Sequence, residues 1–343
     1  MVKKILLKLL TPYAWLRNKR RYKRKVNRIK RNLSLKKDQK YINSSISYYK
    51  QFGIKLNPLW HILYANANGK QKQKYIPEDI FYFKIEPILN NEEYYWTYSN
   101  KMLFHRVLNV SSLDLIYKLK GNLYDSDFNI MHHNLFNELS GPFIAKKMID
   151  SQGGKGIKKI ETPGNLLNYL NSHDNIIIQR YLQQHPFFQK LNETSLNTIR
   201  VISLSMNNKI NVLSAVLRMG RTGSIVDNLS SGGLTIGIDK SGYTRNFLFD
   251  KNFQRYEHTH PDSNVTISSK KIPGFKAMME LTKELHKKVP FIGLVSWDMA
   301  IDSEGNIIVL EMNIKEQGIN LHQLNNGELF GSRTDEVLRE CFN

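Results

Sequence analysis

The sequence predicts an α+β chain: polar helical segments come first, then a strand with a glycine-rich loop, then a long run of antiparallel strands. Three observations carry that prediction. "GPFIAKKMID" is a short buried strand between a Gly-Pro turn and the loop "SQGGKG". "NTIRVISLSM", "KINVLSAVLRMG" and "GLTIGID" read as successive strands of one antiparallel sheet. "VSWDMAIDSEGNIIVLEMN" reads as a hairpin with a polar turn that contains glycine.

In chain order, residues up to about Gln51 look helical and polar. Gly53 to Asn100 is rich in Tyr, Trp and Phe, with Pro58, Pro77 and Pro87 as punctuation, and reads as a small helical and irregular lobe. Lys101 to Val110 begins a helical pattern, and "SSLDLIYKLKGNLYD" fits a helix or a strand with a turn at Gly121. "NIIIQRYL" is a further strand. "PGFKAMMELTKELHKKVP" places Phe275, Met278, Met279, Leu281 and Leu285 at the period of an amphipathic helix. The expected division is a basic helical extension at 1–50, a helical lobe at 51–110 and a larger unit at 111–343. That unit splits into 111–182 and 183–343.

A chain of 343 residues with 41% apolar content supports an ordinary globular core. Its one cysteine, Cys341, excludes a disulfide within the chain and points to a reducing cytosol. The net charge of +20 suggests nucleic acid until it is located. Residues 1–37 hold 15 Lys and Arg and no acid, leaving 35 basic against 30 acidic residues elsewhere. The charge therefore belongs to a tail. Its apolar run, Ile5 to Leu10, is too short to span a bilayer. With Trp15, Leu16 and the polybasic run that follows, it resembles an interfacial anchor for an anionic membrane surface. A solvated arm is the plainer reading. No base-reading module is visible, so no nucleic acid is expected.

Three stretches carry chemistry. In "AKKMIDSQGGKGI", Lys146 ends a buried strand, where a lysine needs a partner such as phosphate. Gly153, Gly154 and Gly156, with Lys155 among them, let backbone N–H groups approach an anion. The spacing is not that of a Walker A loop. In "VLSAVLRMGRTGSIVDNLSSGG", Arg218 ends a strand, and Asn228, Gly232 and Gly233 lie in the loop beyond. Arg200 ends "NTIR" similarly, and such guanidinium forks suit phosphate or carboxylate. In the hairpin, an even loop such as Ser303 to Asn306 sets Asp298 opposite Glu311, with Asn313 on the same face. Facing carboxylates repel unless a divalent cation joins them. Taken singly, these stretches also fit a surface turn, structural ion pairs and a solvated acid pair.

The order of these elements resembles the ATP-grasp superfamily, and most closely its sugar-transfer-associated branch, related to α-L-glutamate ligases. The resemblance spans roughly Asn57 to Glu340, through "QHPFFQKLNETSLNTIRV", "LRMGRTGSIVDNLSSGG", "SWDMAIDSEGNIIVLEMN" and Gln323 in "LHQLNNGELFG". It implies a nucleotide held between two α+β subdomains. It implies Lys101 and Lys146 as nucleotide-binding lysines and residues 151–156 as a glycine-rich flap. "QRYL" (Gln179, Arg180, Tyr181, Leu182) would be the adenine hinge, with Arg180 and Leu182 offering main-chain groups. Asp298, Glu311 and Asn313 would hold Mg2+ or Mn2+, Arg218 would face the γ-phosphate, and Asn228 and Gly233 would lie on the substrate side. His185 and Asn197 recur without a role. Asn100, Lys147 and Gln179 depart from the usual Asp, Pro and Glu.

The implied activity is ATP-dependent joining of a carboxylate to an amine through an acyl-phosphate, with Arg200 or Arg218 stabilising developing charge. The expected substrates are a cell-surface polysaccharide carboxylate and an amino acid or amino sugar. A kinase-like enzyme of the same fold and a non-catalytic membrane scaffold are the alternatives. The expected location is cytoplasmic, peripheral on the inner face of the membrane.

Overall fold

The computed structural model describes residues 22–98, 100–131, 139–148, 156–225, 227 and 229–342. Two antiparallel sheets organise them.

The smaller sheet contains β1 (Asp114–Leu119), β2 (Asn122–Asp125), β3 (Phe143–Lys147), β4 (Lys158–Ile160) and β5 (Ile176–Arg180), in the order β2-β1-β5-β3-β4. "SSLDLIYKLKGNLYD" thus resolves as a hairpin. Lys120 and Gly121, at φ of 50° and 80°, form the two-residue turn between β1 and β2. The three isoleucines of β5 are buried because the strand is central. Leu166 and Leu170 of the helix α4 (Pro163–Ser172) close one face over Ile116, Phe143 and Ile178.

The larger sheet has seven strands: β6 (Thr198–Met206), β7 (Lys209–Met219), β8 (Leu234–Ile238), β9 (Thr244–Phe249), β10 (Arg255–Glu257), β11 (Leu294–Ile301) and β12 (Ile307–Asn313). Their order is β10-β9-β8-β7-β6-β11-β12. Asn207 and Asn208, both at positive φ, make the tight turn between β6 and β7. The amphipathic helix α5 (Phe275–Lys287) packs Met278 and Leu285 on one face, against Val201, Leu217 and Trp297. The helix α6 (Ile319–Asn326) lies over β7, β8 and β9. The last helix is α7 (Thr334–Phe342).

Before the sheets come α1 (22–32), α2 (Gln39–Lys50) and α3 (Leu59–Asn68). The basic segment is not solvated on all sides. Val26 and Ile29, three residues apart on one face of α1, are buried against Trp60, Tyr64 and Phe253. Burying each is worth roughly 1.5–3 kcal/mol. Trp60 Nε1 donates to Tyr22 Oη at 2.7 Å, and Lys25 pairs with Glu78. Lys23, Arg24, Arg28, Lys30 and Arg31 remain exposed on the outer side. The run Ile5 to Leu10 and Trp15 lie outside the described residues. Among the described residues no helix is long and apolar enough to cross a membrane.

Candidate active site

The hairpin of β11 and β12 sets the acids. Asp298 is the register partner of Glu311, as the alternation requires, but the route differs from an even loop. Ile301 pairs with Ile307, so the loop is Asp302 to Asn306, an odd number of residues. The register shifts between Asp298 and Met299, and this bulge restores the alignment. Asp302 stabilises the loop by accepting from the backbone N–H groups of Glu304 and Asn306 at 3.0 and 2.7 Å. Asn313 stands opposite Ser296, and its Nδ2 is 3.4 Å from Asp298 Oδ2.

Asp298 is also the register partner of Arg200 on β6, and Arg218 on β7 sits one strand further. Arg200 donates from Nε and Nη2 to the two Asp298 oxygens, both at 2.6 Å. Arg218 adds a bond from Nη1 at 2.9 Å and donates from Nη2 to Asp227 at 3.1 Å. Thr198 donates to Asp227 from its hydroxyl and from its backbone N–H. Burial alone would raise the Asp298 pKa, but the two guanidiniums overcome it and hold the carboxyl well below the usual range. Burial wins at Asp227, whose pKa is raised despite Arg218.

The smaller sheet supplies Lys146. It is 8% exposed, while Lys147 points to the exposed side, which separates the two neighbours. Burial depresses the Lys146 pKa; Asp114 opposes this, Lys101 adds to it and Glu311 opposes it. Glu311 belongs to the larger sheet, so the two sheets meet electrostatically at this lysine. Lys101, on the turn before the helix Phe104–Leu108, places Nζ 3.2 Å from Glu311 Oε1. Gln179 donates to Asp114 at 2.6 Å. In the "QRYL" segment the N–H groups of Arg180 and Tyr181 bond to Leu113 and Pro142. Lys159 lies over the Tyr181 ring at 5.0 Å. The N–H of Leu182 has no backbone partner among the described residues.

Lys101, Lys146, Arg200, Arg218, Asp298, Glu311 and Asn313 therefore converge. Gly156 and Gly232, at φ of 80° and 97°, occupy turns, and Gly233 is buried just before β8. Gly153, Gly154, Lys155 and Asn228 lie outside the described residues. Asn197 has a structural explanation: it donates to Gln184 Oε1 and to Phe188 O, bracing the loop ahead of β6. His185 caps the helical turn at Pro186, accepting from Phe187 N–H at 3.0 Å.

The donor set fits a hard divalent cation. Two carboxylates and an amide oxygen on one sheet face are the ligand types Mg2+ and Mn2+ take. Asp298 Oδ1, which accepts one guanidinium bond, has lone-pair capacity left for a cation, whereas Oδ2 already accepts from both arginines. Among the described residues no group of three His, Cys, Asp or Glu side chains is placed to hold a metal. The remaining ligands would be phosphate and water oxygens.

The model for the family described as "Sugar-transfer associated ATP-grasp" matches residues 82–339. The chain belongs to the sugar-transfer-associated ATP-grasp family. Two antiparallel sheets, each with its own helices, are the form this ATP-grasp fold takes here. No curated protein matches the chain in sequence. Among solved structures, it is similar to an L-amino acid ligase from Bacillus licheniformis at 12% identity and TM-score 0.43, over 71% of this chain and 48% of that one. An N5-carboxyaminoimidazole synthetase from Staphylococcus aureus, complexed with ADP, is 13% identical with TM-score 0.42, over 71% and 52%. The VanG D-Ala:D-Ser ligase from Enterococcus faecalis is 12% identical with TM-score 0.41, over 71% and 60%. The chain spans about half the length of the first solved structures it matches.

Three residues at this candidate site were given no role from the sequence. Asp114 and Asp227 are acids with ordinary neighbours in sequence, and only the fold brings them to Lys146 and Arg218. His322 on α6 is 1% exposed, with Nδ1 2.8 Å from Ser214 Oγ and Nε2 unpartnered among the described residues. Burial, then Arg200, holds it neutral.

Proposed function

We propose that the protein is an ATP-dependent carboxylate–amine ligase that joins an amino acid or amino sugar to a carboxylate of a cell-surface polysaccharide precursor. One observation carries this reading. The buried Lys146 of the smaller sheet lies within electrostatic reach of Glu311, the register partner of Asp298 in the larger sheet. Cations and acids so arranged fit a magnesium nucleotide better than either sheet alone would.

Lys146 and Lys101 would bind phosphate oxygens, and the end of β5, with the Leu182 N–H, would receive the adenine edge. Asp298, Glu311 and Asn313 would hold Mg2+, which when bound neutralises phosphate charge. Arg218 and Arg200 hold the site's electrostatics in place before substrate arrives. The substrate carboxylate attacks the γ-phosphorus of ATP, the bond to the β-phosphate oxygen breaks, and ADP leaves. The amine then attacks the acyl-phosphate carbonyl, loses a proton and expels phosphate, leaving an amide. Residues 151–156, with Asn228 and Gly233 on the substrate side, belong to this proposal as the water-excluding flap and acceptor loop. The exposed cations of α1, together with residues 1–21, would hold the protein at an anionic membrane surface on the cytoplasmic side.

The test incubates the full chain with Mg-ATP, a glycan carboxylate acceptor and a pool of amino acids. The reading expects phosphate release that depends on the amine, and a mass gain of one amino-acid residue. A phosphorylated acceptor with no amide would replace it with the kinase-like alternative.

A further inference from the structure

A second concavity lies on the same sheet face, beyond α6. It measures about 410 Å3 and is bounded by Lys70, Asp239, Arg245, Phe247 and Asn325, among others. None of these was singled out in the sequence, and none belongs to the nucleotide site.

Arg245 is built into its position. Its Nε donates to Asn326 Oδ1 at 2.7 Å. Asn326 is itself fixed, donating to Ser214 Oγ and Ala215 O, both at 2.8 Å. The arginine stem crosses β8 where Gly237 has no side chain. A Cβ there would stand 3.0 Å from Arg245 Cδ and 2.4 Å from Asn326 Oδ1. The two terminal nitrogens of Arg245 have no partner among the described residues, and neither does the ammonium of Lys70 on the rim. Partial desolvation, then the nearby Arg245 and Lys72, depresses the Lys70 pKa. Cations gathered in a concavity without a carboxylate partner favour an oxyanion, and a fixed guanidinium fork suits carboxylate or phosphate.

The pocket also holds a spare acceptor. Asp239 Oδ1 accepts from the N–H groups of Ser241 and Tyr243, and its other oxygen is uncommitted among the described residues. A bare anion gains nothing from that oxygen, because Asp239 repels it. A ligand with a hydroxyl donor satisfies it, and Phe247 and Phe249 offer apolar walls.

We propose that this pocket binds an acidic sugar, with the carboxylate or phosphate on Arg245 and a ring hydroxyl donating to Asp239. Hydrogen bonds link it to the candidate active site, from Arg245 through Asn326 and Ser214 to His322.

Ligand-observed NMR titration of the full chain tests the proposal without nucleotide, so it fails or stands separately from the ligase reading. The probes are D-glucuronate, D-glucose 1-phosphate, D-glucose and inorganic phosphate. At least one sugar anion is expected to bind tenfold or more tighter than either glucose or phosphate, and the preferred one identifies the oxyanion. Arg245→Gln is expected to remove that binding by tenfold or more. Gly237→Ala keeps every charge and is expected to weaken it by displacing the arginine. Lys70→Gln, on an exposed rim, keeps the test open if either variant fails to fold, and is expected to lose about threefold. Binding unchanged in Arg245→Gln or, where that variant does not fold, in Lys70→Gln overturns the proposal. So does glucose or phosphate matching the sugar anions.

Discussion

The two sheets treat buried charge in opposite ways. In the larger sheet Arg200, Arg218, Asp227 and Asp298 are buried or nearly so and neutralise one another, Arg200 by a bidentate pair with Asp298 and Arg218 by one bond to each acid. In the smaller sheet Lys146 is equally buried but has no hydrogen bond or ion pair among the described residues. It feels Asp114 and Glu311 only across space. The difference teaches where stability and function lie. The larger sheet's cluster holds itself together without ligand, and removing one member strands the others. The smaller sheet's lysine is a standing cost, which an arriving phosphate would relieve.

The largest expected effect follows from that contrast. Asp298→Asn leaves Arg200 and Arg218 buried with their shared charge removed, and is expected to destabilise the fold by about 3–5 kcal/mol in denaturant unfolding. A loss below 1 kcal/mol would mean that the cluster is not load-sharing. Next comes Glu86, which accepts from the N–H groups of Glu316 and Gln317 in the loop between β12 and α6. Burial pushes its pKa up to about 7 from 4.5. Because the folded pKa is raised, the folded state binds the proton more tightly, and stability falls as pH rises from 4.5 to 7. Relative to Glu86→Gln, the wild type is expected to lose on the order of 3 kcal/mol across that window. A pH-independent difference would contradict the burial.

Lys146→Met should reverse the sign seen at Asp298. It is expected to raise stability by about 1–2 kcal/mol, because an isolated buried ammonium gives way to an apolar chain of similar length. Nucleotide affinity should fall at the same time. A destabilised variant would mean that Lys146 is paired, and the contrast between the sheets would disappear. The smallest effect is expected at Glu311→Gln. The Lys101–Glu311 pair is about a third exposed at the carboxylate, so its loss should change stability by less than about 1 kcal/mol.

Much of this arrangement was legible in the sequence. The strand alternation of "SWDMAIDSEGNIIVLEMN" set Asp298 against Glu311, and the apolar run around Lys146 marked a buried lysine. The bulge beside Asp298 was not legible, because a loop of four or five residues fits the same hairpin and only pairing decides. β9 and β10 were missed because "YTRNFLFD" and "RYE" are short and polar beside their turns. α6 was missed for a different reason. It is buried on nearly every side, with polar His322, Gln323 and Asn325 interleaved among Ile319, Leu321 and Leu324, so no single apolar face announces it. Within α1, the apolar pair Val26 and Ile29 was the one sign that a polybasic run docks on the body, and the surrounding charge masked it.

The central claim is that one magnesium nucleotide spans Lys146 of the smaller sheet and the acids of the larger. Calorimetric titration of a non-hydrolysable ATP analogue, with and without Mg2+, tests it on the wild type, Lys146→Met and Glu311→Gln. The account predicts that Mg2+ tightens binding to the wild type and to Lys146→Met, that Glu311→Gln loses this enhancement, and that Lys146→Met binds tenfold or more weaker in both conditions. Full Mg2+ enhancement in Glu311→Gln, or unchanged affinity in Lys146→Met, would contradict it.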